Sequence, residues 1–440
     1  MWRVWLVTIQ SFMKNLWRNL ANSAFAAMFM LLFSYEMPAQ TERARALDVL
    51  LSNARFDLAG WIVNAGWDKL KYEFDVPHLD LSEAEQVQHV RDLMRHIDQA
   101  DKLEAEVAAR YANPNERNPA AATAALRAER DALLQRIDAD RPLAEAILQA
   151  QAESVLREED FGLAGQPMPP LRFRLTKLPH ILIMSRRDRI DRIDQRELAV
   201  DLSVDAADRI ERAVDARFDV SSLVTPIGGY STYPTMLPET SSLRFIIETS
   251  LHEWTHNYLF FSWVGTAYDR DPVARTINET TASIVQRELG VRVIERFYPD
   301  LLPSLLPNSQ PTESALEHLV ASLAVDVAAQ NTFDFNHEMR ITRIRVDELL
   351  GAGRITEAER YMEERREAFI AAGYGLRKLN QAYFAFYGAY NAEPGGAPAA
   401  GKDTIGPAVQ ALRARSPSVG AFVRAVAQLN GLDTIQTSAP

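Results

Sequence analysis

Two histidines separated by three residues constrain this chain more than any other feature. They lie in the stretch His252-Glu253-Trp254-Thr255-His256. On an α-helix, positions i and i+4 stack both imidazoles on one face, about one turn apart, where both can bind one Zn²⁺. Glu253 follows the first histidine directly, so its carboxylate can accept a proton from an attacking water. The alternative interpretation is a surface helix that carries two incidental histidines.

The residues around this motif predict a buried helix. Ser241 or Ser242 offers an N-cap, and neither Gly nor Pro interrupts the following run. Apolar side chains recur there at helical intervals, at Phe245, Leu251, Trp254, Tyr258 and Phe261. A helix this apolar belongs in a core. Buried histidines and a buried glutamate need partners there, and a metal ion supplies one.

Composition limits the classes of binding partner and the residue types that could bind a metal. The chain has 440 residues, of which 47% are hydrophobic, which is enough for one large core or two modest ones. A net charge of −11 argues against nucleic acid as a partner, because phosphate binding requires a basic face. There is no cysteine, so disulfides, thiolate zinc sites and cysteine nucleophiles are excluded. A metal must therefore use His, Asp or Glu.

The sequence of the N-terminal segment predicts that this segment contacts a membrane. Three basic residues precede an apolar run at positions 20–35, and Glu36 and Glu42 follow it. This charge order predicts a cytoplasmic N-terminus and an exported remainder. Residues 37–39 also resemble the end of a cleavable signal peptide. We therefore expect either a membrane-anchored protein with an extracytoplasmic catalytic domain or a secreted protein, with an ordinary amphipathic helix as the alternative.

Hydrophobic patterning predicts a small sheet immediately before the motif helix. The expected strands cover residues 171–175, 181–184 and 197–202, and a helix follows over 203–218. Gly228 and Gly229 then indicate either a plain turn or a close approach by another backbone, such as an extended peptide.

Helices are expected on both sides of this region. Pro142 is typical of a first helical turn, so it predicts that one helix ends near residue 140 and another begins. The expected helices cover residues 82–111, 118–140 and 142–159 upstream, and 314–330, 337–350, 356–372 and 376–390 downstream.

A catalytic zinc takes three protein ligands, so a third must lie beyond His256. Leu259 and Ser262 occupy the positions at which metzincins have their third histidine, so that arrangement is absent. Asn278-Glu279-Thr280-Thr281-Ala282 lies on the next predicted helix. Over residues 243–290 the chain resembles the gluzincin branch of HExxH metallopeptidases, which includes thermolysin-like and aminopeptidase-like enzymes. That resemblance implies His252, His256 and Glu279 as zinc ligands and Glu253 as the general base.

The resemblance leaves some assignments open. Ser283 stands where thermolysin-like enzymes have an aspartate, so no carboxylate that orients a ligand histidine is identified. The stretch from Gly265 to Asp269 resembles the Gly-Thr-x-Asp motif of aspzincins, which makes Asp269 an alternative third ligand. Asp271 and Glu288 are further alternatives.

A donor besides zinc should stabilise the oxyanion that forms when a carbonyl is attacked. The candidates for this catalytic role are His337, Tyr383 and Tyr387. A surface position for His337 and packing roles for the tyrosines are the alternatives.

Together these features predict an α+β, predominantly helical fold. Residues 1–40 form the signal-anchor or signal peptide, 41–165 an N-terminal helical region with a helical insertion, 166–392 a zincin-like catalytic domain, and 393–440 a linker and a C-terminal helical hairpin. The expected function is zinc-dependent hydrolysis of a peptide or protein substrate. The alternatives are a zinc-dependent hydrolase of a non-peptide amide or ester, and a membrane-anchored helical scaffold with an inactive site.

Overall fold

The computed structural model describes residues 42–74, 80–112, 118–163, 166–268, 270–305, 333–387 and 405–431. Helices dominate these residues, and three small sheets lie between the N-terminal helices and the motif helix. The prediction of an α+β, predominantly helical chain with a small sheet before the motif is therefore confirmed. The apolar run at 20–35 and the predicted helix at 314–330 lie outside the described residues.

Six helices among the described residues precede the motif. They are α1 (Glu42–Leu50), α2 (Leu58–Phe74), α3 (Glu83–Ala112), α4 (Pro119–Ala122), α5 (Ala124–Glu158) and α6 (Val204–Phe218). The remaining helices are α7 (Leu243–Leu259), α8 (Trp263–Thr266), α9 (Pro272–Phe297), a 3₁₀ helix (Pro299–Leu305), α10 (Phe335–Gly351), α11 (Ile355–Ala371), α12 (Gln381–Tyr387), α13 (Ile405–Arg415) and α14 (Val419–Ala427). Within the described ranges, no helix is long and apolar enough to cross a membrane.

Pro142 lies inside α5, so the predicted break between two helices at this position is wrong. A proline inside a helix removes one backbone hydrogen bond and costs about 3 kcal/mol. Packing offsets that cost, because α3 lies along α5 and the apolar side chains on both sides of the proline are buried. Ile137 and Ile147 are among these buried residues. Tertiary contact has therefore overridden a local helix-start signal.

The strands form three sheets. β4 (His180–Ser185) is the centre of an antiparallel sheet between β5 (Arg192–Leu198) and β6 (Ser221–Pro226). β3 (Phe173–Thr176) pairs in parallel with β7 (Thr235–Pro238). The third sheet is the short antiparallel pair β1 (Gly162–Leu163) and β2 (Gln166–Pro167). The third predicted strand began too late, because β5 is rich in polar residues and half-buried along most of its length.

The motif helix α7 packs against α9 inside the largest apolar core. Its N-cap is Ser242, whose hydroxyl accepts a hydrogen bond from Phe245 N at 3.3 Å. Trp254 is almost fully buried, and its indole nitrogen donates to the Pro169 carbonyl at 2.8 Å. These two contacts fix α7 at its first turn and along the buried face that carries Trp254.

Candidate metal centre

Helix α7 places the two imidazoles of the motif side by side. The rings of His252 and His256 are 4.8 Å apart between centroids and stand at 80° to each other. Both side chains are mostly buried, with 18% and 15% of their surface exposed. The i, i+4 spacing therefore presents both ring nitrogens to one small volume, as the sequence predicted.

Helix α9 brings the carboxylate of Glu279 to the same place. Its Oε2 lies 3.4 Å from His252 Nε2 and 3.8 Å from His256 Nε2. The ligand atoms of the three residues all lie within 4.8 Å of one another. Ligands about 2.0–2.2 Å from one tetrahedral Zn²⁺ stand roughly 3.3–3.6 Å apart. The two distances from Glu279 Oε2 lie close to this range, and both are long for a hydrogen bond.

Asn278 determines which nitrogen of His256 is available to a metal. Its amide nitrogen donates to the Val264 carbonyl at 3.0 Å, so its Oδ1 must be the atom that faces His256 Nδ1 at 2.7 Å. An amide oxygen only accepts, so Nδ1 carries the proton and donates it. Nε2 is then unprotonated in the neutral ring and faces Glu279. Asn278 is almost fully buried, so this arrangement is shielded from water.

Tyr268 holds the other oxygen of the Glu279 carboxylate. Its hydroxyl donates to Glu279 Oε1, and its ring packs edge-on against His256 with centroids 5.8 Å apart. Arg275 lies over the same ring at 5.5 Å and donates from Nε to the Tyr268 carbonyl at 3.1 Å. Burial and the neighbouring Glu279 raise the pKa of Tyr268 well above its usual value. The hydroxyl therefore keeps its proton, and Oε2 remains directed towards the histidines.

The charges of the cluster favour each other. Burial alone would raise the pKa of Glu279, but His256, His252 and Tyr268 outweigh it and hold that pKa well below its usual range. Burial also opposes a charged His252, yet Glu279 raises its pKa above the ordinary value, and nearby Gln286 adds to this effect. Glu279 is therefore ionised, which is the state a metal ligand requires.

Glu253, the predicted base, lies on the same helix and is only 9% exposed. The Ser231 hydroxyl donates to its Oε2. Gly229 approaches so closely that a Cβ there would lie 2.5 Å from Glu253 Oε1. The close neighbour of Gly229 is therefore the Glu253 side chain, and an approach of this segment by an extended peptide stays a prediction.

Two of the three alternative third ligands, Asp271 and Glu288, lie among the described residues, where each has another partner. Asp269 lies outside the described residues. Asp271 caps α9, where its Oδ1 accepts from Val273 N at 2.8 Å. Glu288 pairs with Arg413 through two hydrogen bonds, the shorter of 2.7 Å.

The contacts of the three predicted oxyanion donors are with residues other than those of the metal centre. His337 is exposed in the first turn of α10. Tyr383 is buried in a second apolar cluster with Ile183 and Leu223. Tyr387 packs on Tyr383 with ring centroids 4.5 Å apart, and its hydroxyl lies 2.8 Å from that of Thr225. Their catalytic role stays a prediction.

Three residues around the cluster were not assigned from sequence. Asn278 stood beside the predicted ligand, so its position was a usable signal. Tyr268 and Ser231 come from loops, and their approach depends on how distant segments pack.

Comparison with models of known protein families, with curated proteins and with solved structures gave no match.

Proposed function

We propose that this chain is a zinc-dependent metallopeptidase of the gluzincin type. His252, His256 and Glu279 would hold the zinc, and Glu253 would act as the general base. One observation carries the proposal. Three possible ligand atoms from two packed helices lie within 4.8 Å of one another, and the carboxylate of Glu253 lies on the helix of the two histidines.

The donor set favours zinc over other common cations. Two imidazole nitrogens and one carboxylate oxygen match the three-ligand sites of catalytic zinc, which keep a fourth position open. Calcium and magnesium prefer oxygen ligands alone. Asn278 supports the same assignment, because an oriented histidine with a free Nε2 is the usual partner of zinc.

The reaction that fits this site is hydrolysis of an amide bond. Zinc held by the three ligands would supply Lewis acidity, polarising the carbonyl under attack and acidifying water. The Glu253 carboxylate accepts one proton from the water as its oxygen bonds to the carbonyl carbon. Glu253 then returns that proton to the nitrogen of the departing amine as the C–N bond breaks. Tyr268 keeps the Glu279 carboxylate in place throughout.

Metal analysis of the purified protein tests this proposal. We expect about one zinc per chain. His256→Ala and Glu279→Ala should lose it, and Asp269→Ala should keep it. Glu253→Gln should retain zinc and lose hydrolysis of a peptide library. Zinc with hydrolysis of only esters or non-peptide amides would favour the first alternative, and a wild type that binds no zinc would favour the inactive scaffold.

The predicted membrane association is a separate part of the proposal. The apolar run at 20–35 would anchor the protein, or be cleaved, and leave the site on the extracytoplasmic side.

A further inference from the structure

The loop between β6 and β7, residues 227–234, lies directly on the Glu253 carboxylate. Ser231 donates its hydroxyl proton to Oε2. Gly229 faces the other oxygen, and a Cβ at this position would also lie 3.1 Å from Glu253 Cδ. Both ends of the carboxylate therefore contact one loop that contributes no metal ligand.

The loop is itself anchored on both sides of Ser231. Tyr230 exchanges two backbone hydrogen bonds of 3.0 Å with Met236, and its hydroxyl donates to Glu197 on β5. On the other side, the Thr232 carbonyl accepts from the Asn257 amide at 3.4 Å. Ser231 is thus presented by a backbone that the sheet and α7 both hold.

We propose that Ser231 and Gly229 are positioning residues for the general base, an inference that rests on the proposed function. A glutamate side chain has three rotatable torsions, so its carboxylate needs external contacts to remain in one place. The Ser231 hydroxyl occupies Oε2 and leaves Oε1 to accept the proton of the attacking water. Gly229 gives Oε1 room that any larger residue would fill.

The hydroxyl of the neighbouring Thr232 makes a different kind of contact from the Ser231 hydroxyl. Thr232 Oγ1 donates to the Pro234 carbonyl at 2.7 Å, which ties the loop to itself. Ser231 instead donates to an ionisable side chain on another element. Thr232→Val is therefore a matched control, because it removes a hydroxyl of the same loop without touching Glu253.

A double-mutant cycle on stability tests the contact without any substrate. Ser231→Ala, Glu253→Ala and the double variant are unfolded in urea with EDTA present, so bound metal does not contribute. We expect a coupling of about tenfold in the folding equilibrium constant, the size typical of a hydrogen bond to a charged group. Thr232→Val should combine additively with Glu253→Ala. Additivity for Ser231 would overturn the proposal.

Activity of zinc-loaded protein tests the consequence for the base. Ser231→Ala should keep its zinc and lower kcat about tenfold or more with KM near the wild-type value. Ser231→Thr should restore kcat, and Ser231→Ala should cause no further loss in the Glu253→Gln background. Gly229→Ala should lower kcat with little loss of stability, because the atoms it displaces belong to the end of the Glu253 side chain.

The outcomes separate this proposal from the function on which it rests. A zinc-loaded, active wild type whose Ser231→Ala variant keeps full kcat overturns the positioning role alone. A wild type without zinc overturns the proposed function, and coupling in the stability cycle would then leave Ser231 as a purely structural partner of Glu253.

Discussion

Replacing Asn278 with alanine tests whether this residue orients His256 in the proposed metal site. The change removes two hydrogen bonds, one from His256 Nδ1 at 2.7 Å and one to the Val264 carbonyl at 3.0 Å. Each group then lies in a buried place without its partner, at a cost of about 1–3 kcal/mol apiece. We expect the free energy of unfolding to fall by about 2–6 kcal/mol in the absence of metal.

Zinc affinity should fall as well, for a different reason. Without the amide oxygen, His256 loses the hydrogen bond that holds the proton on Nδ1 and orients the ring towards Glu279. Removing such a partner lowers metal affinity about 10- to 100-fold. That loss corresponds to about 1.4–2.7 kcal/mol of binding free energy. Competition with a chromophoric chelator measures the zinc affinity, and urea unfolding in EDTA measures the stability.

A matched control separates the two effects. Asn257 is buried on α7, next to His256, and donates to the Thr232 carbonyl at 3.4 Å and to Thr235 Oγ1 at 3.3 Å. Asn257→Ala should lose stability but retain wild-type zinc affinity. If Asn278→Ala also bound zinc as tightly as the wild type, the claim that Asn278 orients His256 would be refuted.

Two further predictions concern the hydrogen bond of Tyr268 and the buried carboxylate of Glu159. Tyr268→Phe should lower zinc affinity about threefold to tenfold in the same chelator competition, because Glu279 Oε1 loses its donor; an unchanged affinity would contradict this role. Burial would raise the pKa of Glu159, but the Gly420 amide and Arg292 outweigh it and lower that pKa. A lowered folded-state pKa stabilises the protein above the unfolded value of about 4.3, and this contribution disappears as the pH falls further. Urea unfolding should therefore find Glu159→Gln less stable than the wild type at pH 7, with a gap that narrows at acidic pH; a gap independent of pH would count against this linkage.

Sequence predicted the parts of the site that depend on one helix. The spacing of His252 and His256 fixes their common face whatever the rest of the chain does. Glu279 followed from a resemblance and lies on α9, which packs on α7. Ser231 and Tyr268 could not be predicted in the same way, because the loops that carry them reach the site only through the packing of β6, β7 and α8 around it.

The errors in the fold have the same origin. At Pro142, the local preference for a helix start lost to burial on both sides of α5. In β5, the sequence has no alternation of apolar and polar residues that would predict where the strand begins, because its side chains are half-buried rather than alternately buried and exposed. Local rules therefore succeeded where a segment's own periodicity decides its structure. They failed where contacts from elsewhere in the chain decide it.

The contacts of the polar residues on α7 support the proposal that this helix holds a metal ion. Several buried polar groups of α7 have protein partners at short hydrogen-bonding distances, as Thr255 does with the Leu251 carbonyl at 2.7 Å and Ser250 with the Ile247 carbonyl at 2.8 Å. The ring nitrogens that face Glu279 differ, since their distances to its Oε2, 3.4 Å from His252 and 3.8 Å from His256, are too long for strong hydrogen bonds. Burying these ionisable groups costs free energy of hydration, and direct pairing at such long distances would not offset that cost. The same distances suit ligands that share one central ion, so binding of zinc would satisfy all three groups at once.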